Sequence, residues 1–435
     1  MMTDLVDTQH PADEIHPNDF SVYGINVRDY GARGDGDSDD APAIQAALDA
    51  GRGLVVIPYG VYRIGRTLRV PSHTHLRVHP CARLFLADGA GVDRHSFLLT
   101  NAQPERGDEK ICIEGGIWDG NNIHNPRGPD APTSYTGVLL NFVGVRELTL
   151  RALTLRDPES YYIRLGRVQG FAVEDIRLEA PHLRPNQDGV HLGGFCEDGV
   201  IRNITGVGVS VPNDDLVALS ADDANERAQN LGKLCGPIRR IRVENLTATD
   251  CHTFVRLLSV RSPVEDIEIR DLRGGCHVAA LNLDACRECR VPLFDPDDPA
   301  VADGVGAITH VHVRGVRVYK ASTASRKPLV DLRTRVQDFV IEDFVRDLER
   351  DVHPQVPSLL VGSVGAATVH LEGLTTGQIA ALRQTTPRAA VQWLAGVTDV
   401  EQYAVSCNLG ARDVLTLPTG GWTRLAVDGC AVQDA

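Results

Sequence analysis

From about residue 143 onward, the chain repeats one pattern of apolar and polar positions. A short alternating segment is followed, in most copies, by Asn, Asp or Gly with one apolar residue, and then by a second short alternating segment. Period-two alternation is typical of strands, and these segments show no helical period. The apolar residues that follow the turn are Leu153, Ile176, Ile204, Leu246, Leu272, Val316, Phe344 and Leu374.

The spacing of these apolar residues predicts a solenoid. They recur every 23 to 30 residues, apart from two longer intervals of 42 and 44 residues, and a period of this size indicates stacked structural units. Leucine-rich repeats are the competing solenoid, but the chain has neither their fixed leucine ladder nor one helix per repeat. The sequence therefore predicts an all-β fold, a right-handed parallel β-helix in which each rung consists of short strands.

The N-terminal part departs from the repeat. Asp39 and Asp40 can cap the start of a helix whose apolar face is Ile44, Ala47 and Leu48. This pattern predicts a short helix that covers the open end of the solenoid, where a hydrophobic cross-section would otherwise meet water. We expect an N-terminal extension at 1–24 and a single β-helix domain at 25–435, with the cap and first strands at 25–70 and terminal rungs with a second cap at 376–435.

Composition and charge narrow the range of partners. Of the 435 residues, 43% are hydrophobic and 23% are charged, which is typical of a globular chain and excludes a disordered one. No run of apolar residues is long enough for a transmembrane helix, which needs about 18. The formal net charge is −14, from 44 basic and 58 acidic residues. A surface this acidic disfavours nucleic acid and anionic membranes as partners.

The cysteines and the N-terminus give an expectation about the cell compartment. The ten cysteines are scattered, and the one close pair, Cys286 and Cys289, has no second CxxC beside it, so we expect neither a zinc site nor a cofactor. Cysteines inside apolar-periodic segments are small core residues. The first residues contain no basic segment followed by an apolar one, as a secretory signal would require. These features predict a reduced, cytoplasmic protein.

Polar residues fall on neighbouring rungs when four segments are aligned on Leu165, Leu192, Leu219 and Leu257. Adjacent rungs lie ~4.8 Å apart, so residues in one column meet. The first column is Tyr161, Asp188, Asp215 and Thr253; the column before it is Ser160, Gln187, Asp214 and His252; an outward column is Arg164, His191, Ala218 and Arg256. The alignment predicts that three carboxylates and up to four basic groups converge, and repulsion between adjacent carboxylates raises the pKa of at least one. We expect Asp188, one rung away from Asp214 and Asp215, to stay ionised.

Other polar residues have simpler interpretations. Asp and Asn at the corners of a β-helix often only satisfy turn backbone groups. Asp222–Asp223 and Asp297–Asp298 are therefore predicted to be solvated loop residues. His310 and His312 alternate on one strand with no carboxylate near them in register, so we expect no function for them.

The N-terminal segment resembles a known superfamily. The sequence VRDYGARGDGDSDDAPAIQAAL, followed by GLVVIPYGVYRI, resembles the opening of pectate-lyase-superfamily β-helix proteins. That superfamily includes the polygalacturonases of glycoside hydrolase family 28 and several phage tailspikes. The resemblance implies the fold and leaves the chemistry open.

Motifs on the polar rungs resemble those of polygalacturonases. That family shows Asn-Thr-Asp, then Asp-Asp on the next rung, then Gly-His-Gly, then Arg-Ile-Lys. Here Asn186-Gln187-Asp188 and Asn213-Asp214-Asp215 match the first two, and Arg256-Leu257-Leu258 takes the position of the last. The resemblance implies that Asp214 is the general acid, that Asp188 and Asp215 activate water, and that the anomeric configuration inverts. It also implies substrate-binding residues, and with the neighbouring polar positions the predicted set is Arg256, His252, His191, Arg164 and Asn186.

Two departures from the family change the expected substrate. Gly-His-Gly is absent, and an insertion at 221–236 stands in its place, so His252 and His191 are the candidates to replace that histidine. The lysine that helps to hold a uronate carboxylate is Leu258 here, which argues against strict galacturonan specificity. We expect the insertion to wall the cleft, which favours an exo-acting enzyme.

The sequence thus predicts a carbohydrate substrate and an inverting glycoside hydrolase. In such an enzyme one carboxylic acid protonates the leaving oxygen while a second carboxylate ~6.5–9.5 Å away activates water. Two alternatives remain open. In a polysaccharide lyase, Asp188, Asp214 and Asp215 would bind Ca²⁺ and Arg256 would act as the base. The other alternative is a carbohydrate-binding β-helix without catalytic activity.

Overall fold

The protein is a right-handed parallel β-helix, seen here in a computed structural model. The structure describes residues 24–223, 227–285 and, with short gaps, 306–361, and beyond them a few isolated strand segments. Each rung contributes one strand to each of three parallel sheets, and the apolar side chains of all three meet in one continuous core. The predicted fold class is confirmed.

Sheet 1 carries the residues of interest. Its inward positions form an apolar ladder that includes Leu140, Ile163, Val190, Val217 and Val255. Its strands are Leu68–Val70, Leu99–Asn101, Leu140–Val143, Ile163–Gly166, Val190–Leu192, Asp215–Ser220, the last parts of Ile238–Leu258 and Val264–Asp284, Val330–Leu332, Leu359–Val361, Ala389–Trp393 and Val414–Leu415.

Sheets 2 and 3 complete each rung. Sheet 2 consists of Ile25–Asn26, Gly53–Ile57, Thr74–Val78, Asp108–Glu114, Val145–Arg151, the first parts of Gln169–Glu179, Cys196–Val207, Ile238–Leu258, Val264–Asp284, Ile308–Lys320 and Val336–Arg346, and Ala367–Leu371. Sheet 3 consists of Asp35–Asp39, Val61–Ile64, Arg83–Leu86, Ile117–Asp119, Thr154–Arg156, the continuations of those long strands, and Ser406–Asn408. A separate antiparallel pair joins Ala426–Val427 to Cys430–Ala431.

The corner between sheets 2 and 3 explains the repeat in the sequence. One residue per rung takes a left-handed backbone conformation there, for example Asp175, Asn203 and Asn245, with φ of 56°, 57° and 53°. Asn and Asp tolerate this conformation better than most residues. The next residue then turns inward, and seven of the eight predicted apolar positions are buried; Leu374 lies outside the described residues.

The predicted capping helix is present at Ala41–Ala50. Its buried face includes Ile44, Ala47 and Leu48, which belong to the continuous core. The expected capping by both acidic residues is only partly right. Asp39 Oδ1 accepts the Ala41 N–H at 3.2 Å, whereas Asp40 instead accepts the N–H groups of Arg33 and Gly34. Asp40 therefore fixes the preceding turn rather than the helix end.

Several sequence predictions fall outside the described residues. The extension at 1–23, Cys286 and Cys289, Asp297–Asp298 and most of 376–435 are among them. Two short 3₁₀ helices lie at Val27–Tyr30 and Ala228–Asn230. No helix among the described residues has the length and apolar character needed to cross a membrane.

Candidate active site

Sheet 1 pairs its strands in the predicted register. Tyr162 donates its N–H to the Asp188 carbonyl, Gly189 donates to the Asp215 carbonyl, and Asp215 is the direct neighbour of Thr253 on the next strand. The outward column Arg164, His191, Ala218 and Arg256 is likewise continuous. The alignment on inward leucines therefore predicted correctly which residues share a patch.

Asp214, Asp215 and His252 form the centre of this patch. His252 Nδ1 lies 3.6 Å from Asp214 Oδ1 and 3.7 Å from Asp215 Oδ1. Asp215 is buried, while the side chains of Asp214 and His252 remain 21% and 31% exposed. Asn186 donates an amide hydrogen to Asp214 Oδ2 at 3.3 Å. Of the two carboxylates, that of Asp214 is therefore the one accessible to a bound molecule.

Burial and like charge control the pKa of Asp214. Burial and the adjacent Asp215 carboxylate both raise the pKa of Asp214 above its ordinary value. Burial alone would lower the pKa of His252, but the carboxylates of Asp215 and Asp214 more than offset that effect and raise it. Asp214 is therefore suited to hold a proton, and His252 to carry a positive charge beside it.

Asp188 and His191 form a buried pair one rung below. Asp188 Oδ2 and His191 Nδ1 are 2.6 Å apart, and both residues are at most 3% exposed. The imidazole stacks on Tyr161 with ring centroids 4.1 Å apart. Burial, reinforced by Asp214 and Asp215, raises the pKa of Asp188, and burial lowers the pKa of His191. The pair therefore shares one proton and carries no net charge, which corrects the expectation that Asp188 stays ionised.

Arg256 lies on the same strand as His252. It donates through Nε and Nη2 to both oxygens of Asp284, at 3.0 and 3.1 Å, and its Nη1 is 3.7 Å from Asp215 Oδ2. Of the two candidate histidines, His252 lies on the rung that follows Asp214 and Asp215, and His191 lies on the rung before them. The arginine therefore shares the histidine rung instead of following it by one rung as the family motif order implies.

The insertion at 221–236 covers one end of the patch. The Nη1 of Arg164 donates to the carbonyls of Gln229 and Leu231, and Tyr161 donates its hydroxyl to Asn230 Oδ1 at 2.6 Å. Arg164 is only 4% exposed as a result. Arg164 and His191 thus lie beneath surface groups rather than in the open cleft, so the structure does not present them as predicted substrate contacts.

Asp222 and Asp223 are buried, which corrects the prediction that they are solvated. Asp222 Oδ2 accepts the backbone N–H groups of residues 260–262 at 2.7 to 2.9 Å. Asp223 lies 3.0 Å from the Nζ of Lys233, and the side chains of both are at most 6% exposed. The two residues therefore fix the insertion on the core of the molecule, and Asp223 brings a further charge pair to the site.

The strand that carries His310 also differs from the prediction that no carboxylate lies near it. His310 Nδ1 lies 3.3 Å from Asp266 Oδ1 on the neighbouring rung, so a carboxylate is present. Both side chains are more than half exposed. The contact is a solvated surface pair and adds nothing to the site.

Three residues of the site were not predicted. Asp284 could have been found by extending the register one rung further, because Leu257 pairs with Leu283 and places Asp284 beside that strand end. Asp223 and Lys233 lie in the insertion, whose sequence has no periodicity to align. Only the folded chain brings them to the site.

A separate open cavity of about 600 Å³ lies at the corner between sheets 1 and 2. Among its lining residues, Arg146 pairs with Glu109 at 2.7 Å, and Glu197 pairs with Arg240, which lies outside the lining, at 2.8 Å. It contains none of the predicted site residues. We therefore place the chemistry at the carboxylate cluster of sheet 1 and not in this cavity.

Comparison with known proteins agrees with the fold. The family model described as rhamnogalacturonase A/epimerase, pectate lyase-like, matches residues 24–102. A polygalacturonase from Persea americana is 25% identical over 237 residues, covering 51% of this chain and 48% of that protein. The plasmin and fibronectin-binding protein A of Streptococcus pneumoniae is 29% identical over 188 residues, covering 38% of this chain and 26% of the relative.

The similar solved structures also include both an enzyme and a binding protein. The S. pneumoniae surface adhesin PfbA superposes with a TM-score of 0.54 at 16% identity, covering 89% of this chain and 93% of the other. The family 28 exopolygalacturonase of Yersinia enterocolitica gives 0.50 at 12% identity, covering 93% and 77%. The matched regions of the curated relatives span less than two thirds of their length. These likenesses support a pectate-lyase-superfamily β-helix that resembles polygalacturonases.

Proposed function

We propose that this protein, a pectate-lyase-like β-helix resembling polygalacturonases, is a glycoside hydrolase that cleaves a carbohydrate by acid/base catalysis. The observation that carries the proposal is the partly exposed Asp214 beside the buried Asp215, with His252 within 3.7 Å of both. Like charges on neighbouring buried residues are costly. Their retention at the surface opening of sheet 1 is typical of a catalytic acid and base.

Asp214 is the general acid of this mechanism. Its raised pKa favours the protonated form of the carboxyl group, and the side chain is exposed enough to reach a glycosidic oxygen. The cation of His252 then faces the carboxylate that forms when the proton leaves. Proton donation lets the leaving sugar depart as a neutral alcohol.

Asp215 is the base in this mechanism. Its Oδ2 is buried and accepts no hydrogen bond from any described residue, although such atoms are normally partnered. That oxygen is available to accept a proton from water, while the nearby Arg256 guanidinium stabilises the negative charge. The Asp188–His191 pair borders the same position and, being neutral, can orient the water by hydrogen bonding.

The stereochemical outcome rests on the resemblance, which implies inversion. One oxygen of Asp214 and one of Asp215 lie within 4.8 Å of each other. This is closer than the ~6.5–9.5 Å between the carboxyl groups of most inverting enzymes. Proton NMR of the first product identifies the anomer, and retention of configuration would reject inversion.

The insertion supports exo-cleavage. It is held on the neighbouring rungs by Arg164 and Tyr161, and Arg127 donates to Gln229 Oε1 at 3.0 Å from a loop on the far side. We infer from these contacts that the insertion closes one end of the cleft over sheet 1. An enzyme with such a closed end removes sugars from chain ends, so monosaccharide or disaccharide should dominate early digests and long products should be absent.

The lyase alternative receives less support from the donor set. Ca²⁺ takes six to eight oxygen ligands. The only described group with the geometry for a metal ion offers two carboxylates and an imidazole, from Asp214, Asp215 and His252. Asp188 is engaged with His191. These residues do not fit Ca²⁺, and no step of the mechanism uses a metal.

A non-catalytic binding protein is the second candidate, favoured by the superposition on the S. pneumoniae adhesin. The deciding experiment is a screen of aryl glycosides and plant oligosaccharides with wild type, Asp214→Asn and the control Asp29→Asn. Asp29 is an exposed residue in the cap, remote from the site. Hydrolysis by wild type and the control, with a loss on the order of 100-fold in Asp214→Asn on the oligosaccharides, whose leaving groups need protonation, supports the hydrolase. Binding of glycan by all three without any product supports the binding protein.

A further inference from the structure

The basic groups of the site are already paired with carboxylates of the chain. Arg256 makes two hydrogen bonds to Asp284, and Asp215 lies on its other side. Lys233 contacts Asp223 at 3.0 Å, with its own side chain 1% exposed. Neither cation therefore presents a free charge to a bound molecule.

The remaining basic groups follow the same rule. Arg164 is enclosed, because its guanidinium donates to Asn141 and to two carbonyls of the insertion. His252 faces the two carboxylates of Asp214 and Asp215. Arg256, Lys233, Arg164 and His252 thus each have an acceptor within the chain.

The charges around the site compensate each other in pairs. Asp284 and Asp215 flank Arg256, and Asp223 contacts Lys233, within a protein of net charge −14. An additional carboxylate, brought in by a uronic acid, would meet like charge without a free cation to pair with. Hydroxyl groups, by contrast, are good donors to the available carboxylate oxygens.

We propose that the sugar residue bound at the cleavage position is neutral, with a hydroxymethyl or methyl group at C5 instead of a carboxylate. Asp223 and Asp284 are specificity-determining residues in this arrangement, since they occupy the partners that a uronate would need. The inference rests on the proposed hydrolase function and names its substrate class. On this proposal, the chain differs from galacturonan-cleaving enzymes in the pairing of its basic residues with its own carboxylates, and not in the shape of the cleft.

The test uses pairs of p-nitrophenyl glycosides that differ only at C6: α-galactoside and α-galacturonide, and the α- and β-glucosides with their glucuronides. Wild type should cleave the neutral member of at least one pair with a kcat/KM on the order of 100-fold higher than the acidic member. Equal or preferred cleavage of the acidic member would overturn the proposal. This comparison needs no variant.

Two variants then test the residues. Asp223→Asn frees Lys233 and Asp284→Asn frees Arg256, so each should reduce the discrimination against the acidic member at least about tenfold. The ratio within a pair cancels any general loss of activity. Asp29→Asn is the matched control and should keep the wild-type ratio. An unchanged ratio in two folded Asn variants would refute the roles of Asp223 and Asp284.

Failure of the hydrolase proposal is a separate result. If wild type cleaves neither member of any pair nor any oligosaccharide, the catalytic proposal fails. Calorimetric titration with neutral oligogalactose and with oligogalacturonate then decides the charge question alone. Tighter binding of the neutral oligomer supports the neutral subsite, and tighter binding of the oligogalacturonate overturns it.

Discussion

Charged residues are arranged in opposite ways on two sheets of the same solenoid. On sheet 2, one outward row alternates in sign from rung to rung: Glu114, Arg151, Glu174, Arg202, Glu244 and Arg270. On sheet 1, by contrast, the carboxyl groups of Asp188 and Asp215 are neighbours on successive rungs, with that of Asp214 beside them. The sheet 2 row is solvated, whereas Asp188 and Asp215 are buried.

The difference shows which acidic residues the fold itself needs. Alternating exposed charges avoid repulsion between rungs, and each pair is worth about 0–1 kcal/mol. Buried like charges reduce the stability of the folded state, so their presence calls for another reason. Charge pattern along a column, more than the number of acidic residues, therefore separates the site from the solvated surface.

The largest expected effect is on kcat, and it comes from replacing Asp215, the proposed catalytic base. Asp215→Asn should lower kcat on the order of 100-fold or more for every glycoside, because activated water is needed whatever the leaving group. Asp214→Asn should spare substrates with very acidic leaving groups, which depart without protonation. The measurement is kcat for a series of aryl glycosides with leaving groups of graded pKa. Equal sensitivity of both variants to the leaving group would argue against the assigned roles.

Removing a buried carboxylate that serves the fold should act on stability instead. Asp222 accepts three backbone N–H groups and the Ser262 hydroxyl. Asp222→Ala leaves these donors without their acceptor and should lower the free energy of unfolding on the order of 3 kcal/mol. Denaturant unfolding, with Asp29→Ala as control, measures the change. An unaltered midpoint would show that water replaces the carboxylate.

The raised pKa of Asp214 gives a pH dependence of known sign. Burial and Asp215 raise this pKa, so the proton needed for catalysis is lost, and activity falls, as pH rises through it. A carboxyl whose folded pKa exceeds its unfolded value contributes stability fully only below the unfolded value, and that stability is lost as pH rises through the folded pKa.

Asp214→Asn removes this titration. The melting temperature of the variant should therefore exceed that of wild type near neutral pH. The difference between the two melting temperatures, the gap, should close as pH falls towards 4. Thermal unfolding at a series of pH values measures it. A gap that widens at low pH would mean that the carboxyl is stabilised in its ionised form.

The smallest effect is expected on sheet 2. Glu109 contacts Arg146 at 2.7 Å on a partly exposed surface. Glu109→Gln should change the free energy of unfolding by about 0–1 kcal/mol, less at high salt, and should leave hydrolysis unchanged. Paired unfolding curves at low and high salt provide the check. A loss comparable with that of Asp222→Ala would remove the contrast between the two sheets.

The rungs and their register could be predicted because they repeat. Inward residues such as Val190 and Leu192 alternate with outward ones, and the core accepts only one phase of that alternation. Register then placed Asp188 and Asp215 side by side without any structural information. The position of Asp284 was within reach of the same argument.

The charge state and exposure of the site could not be predicted in the same way. The burial of Asp222 depends on backbone groups at 260–262, and that of Asp223 on Lys233, all of which the insertion brings together in space. Arg164 is likewise buried by backbone carbonyls of the insertion, and since every residue has a carbonyl, the sequence does not indicate which ones make this contact. Contacts made by irregular loops follow from the fold as a whole and from no local pattern.

The corner between sheets 2 and 3 has a consequence for how such a protein changes over time. Its side chains bond along the stack, from Asn245 to Asn203 and from Asn203 to Asp175, so an extra residue there would disturb several rungs at once. The long insertion at 221–236 lies instead between sheets 1 and 2. One edge of the solenoid thus preserves the architecture while another is free to gain or exchange loops. A new substrate preference can then evolve by replacing one loop at the cleft, without a new fold.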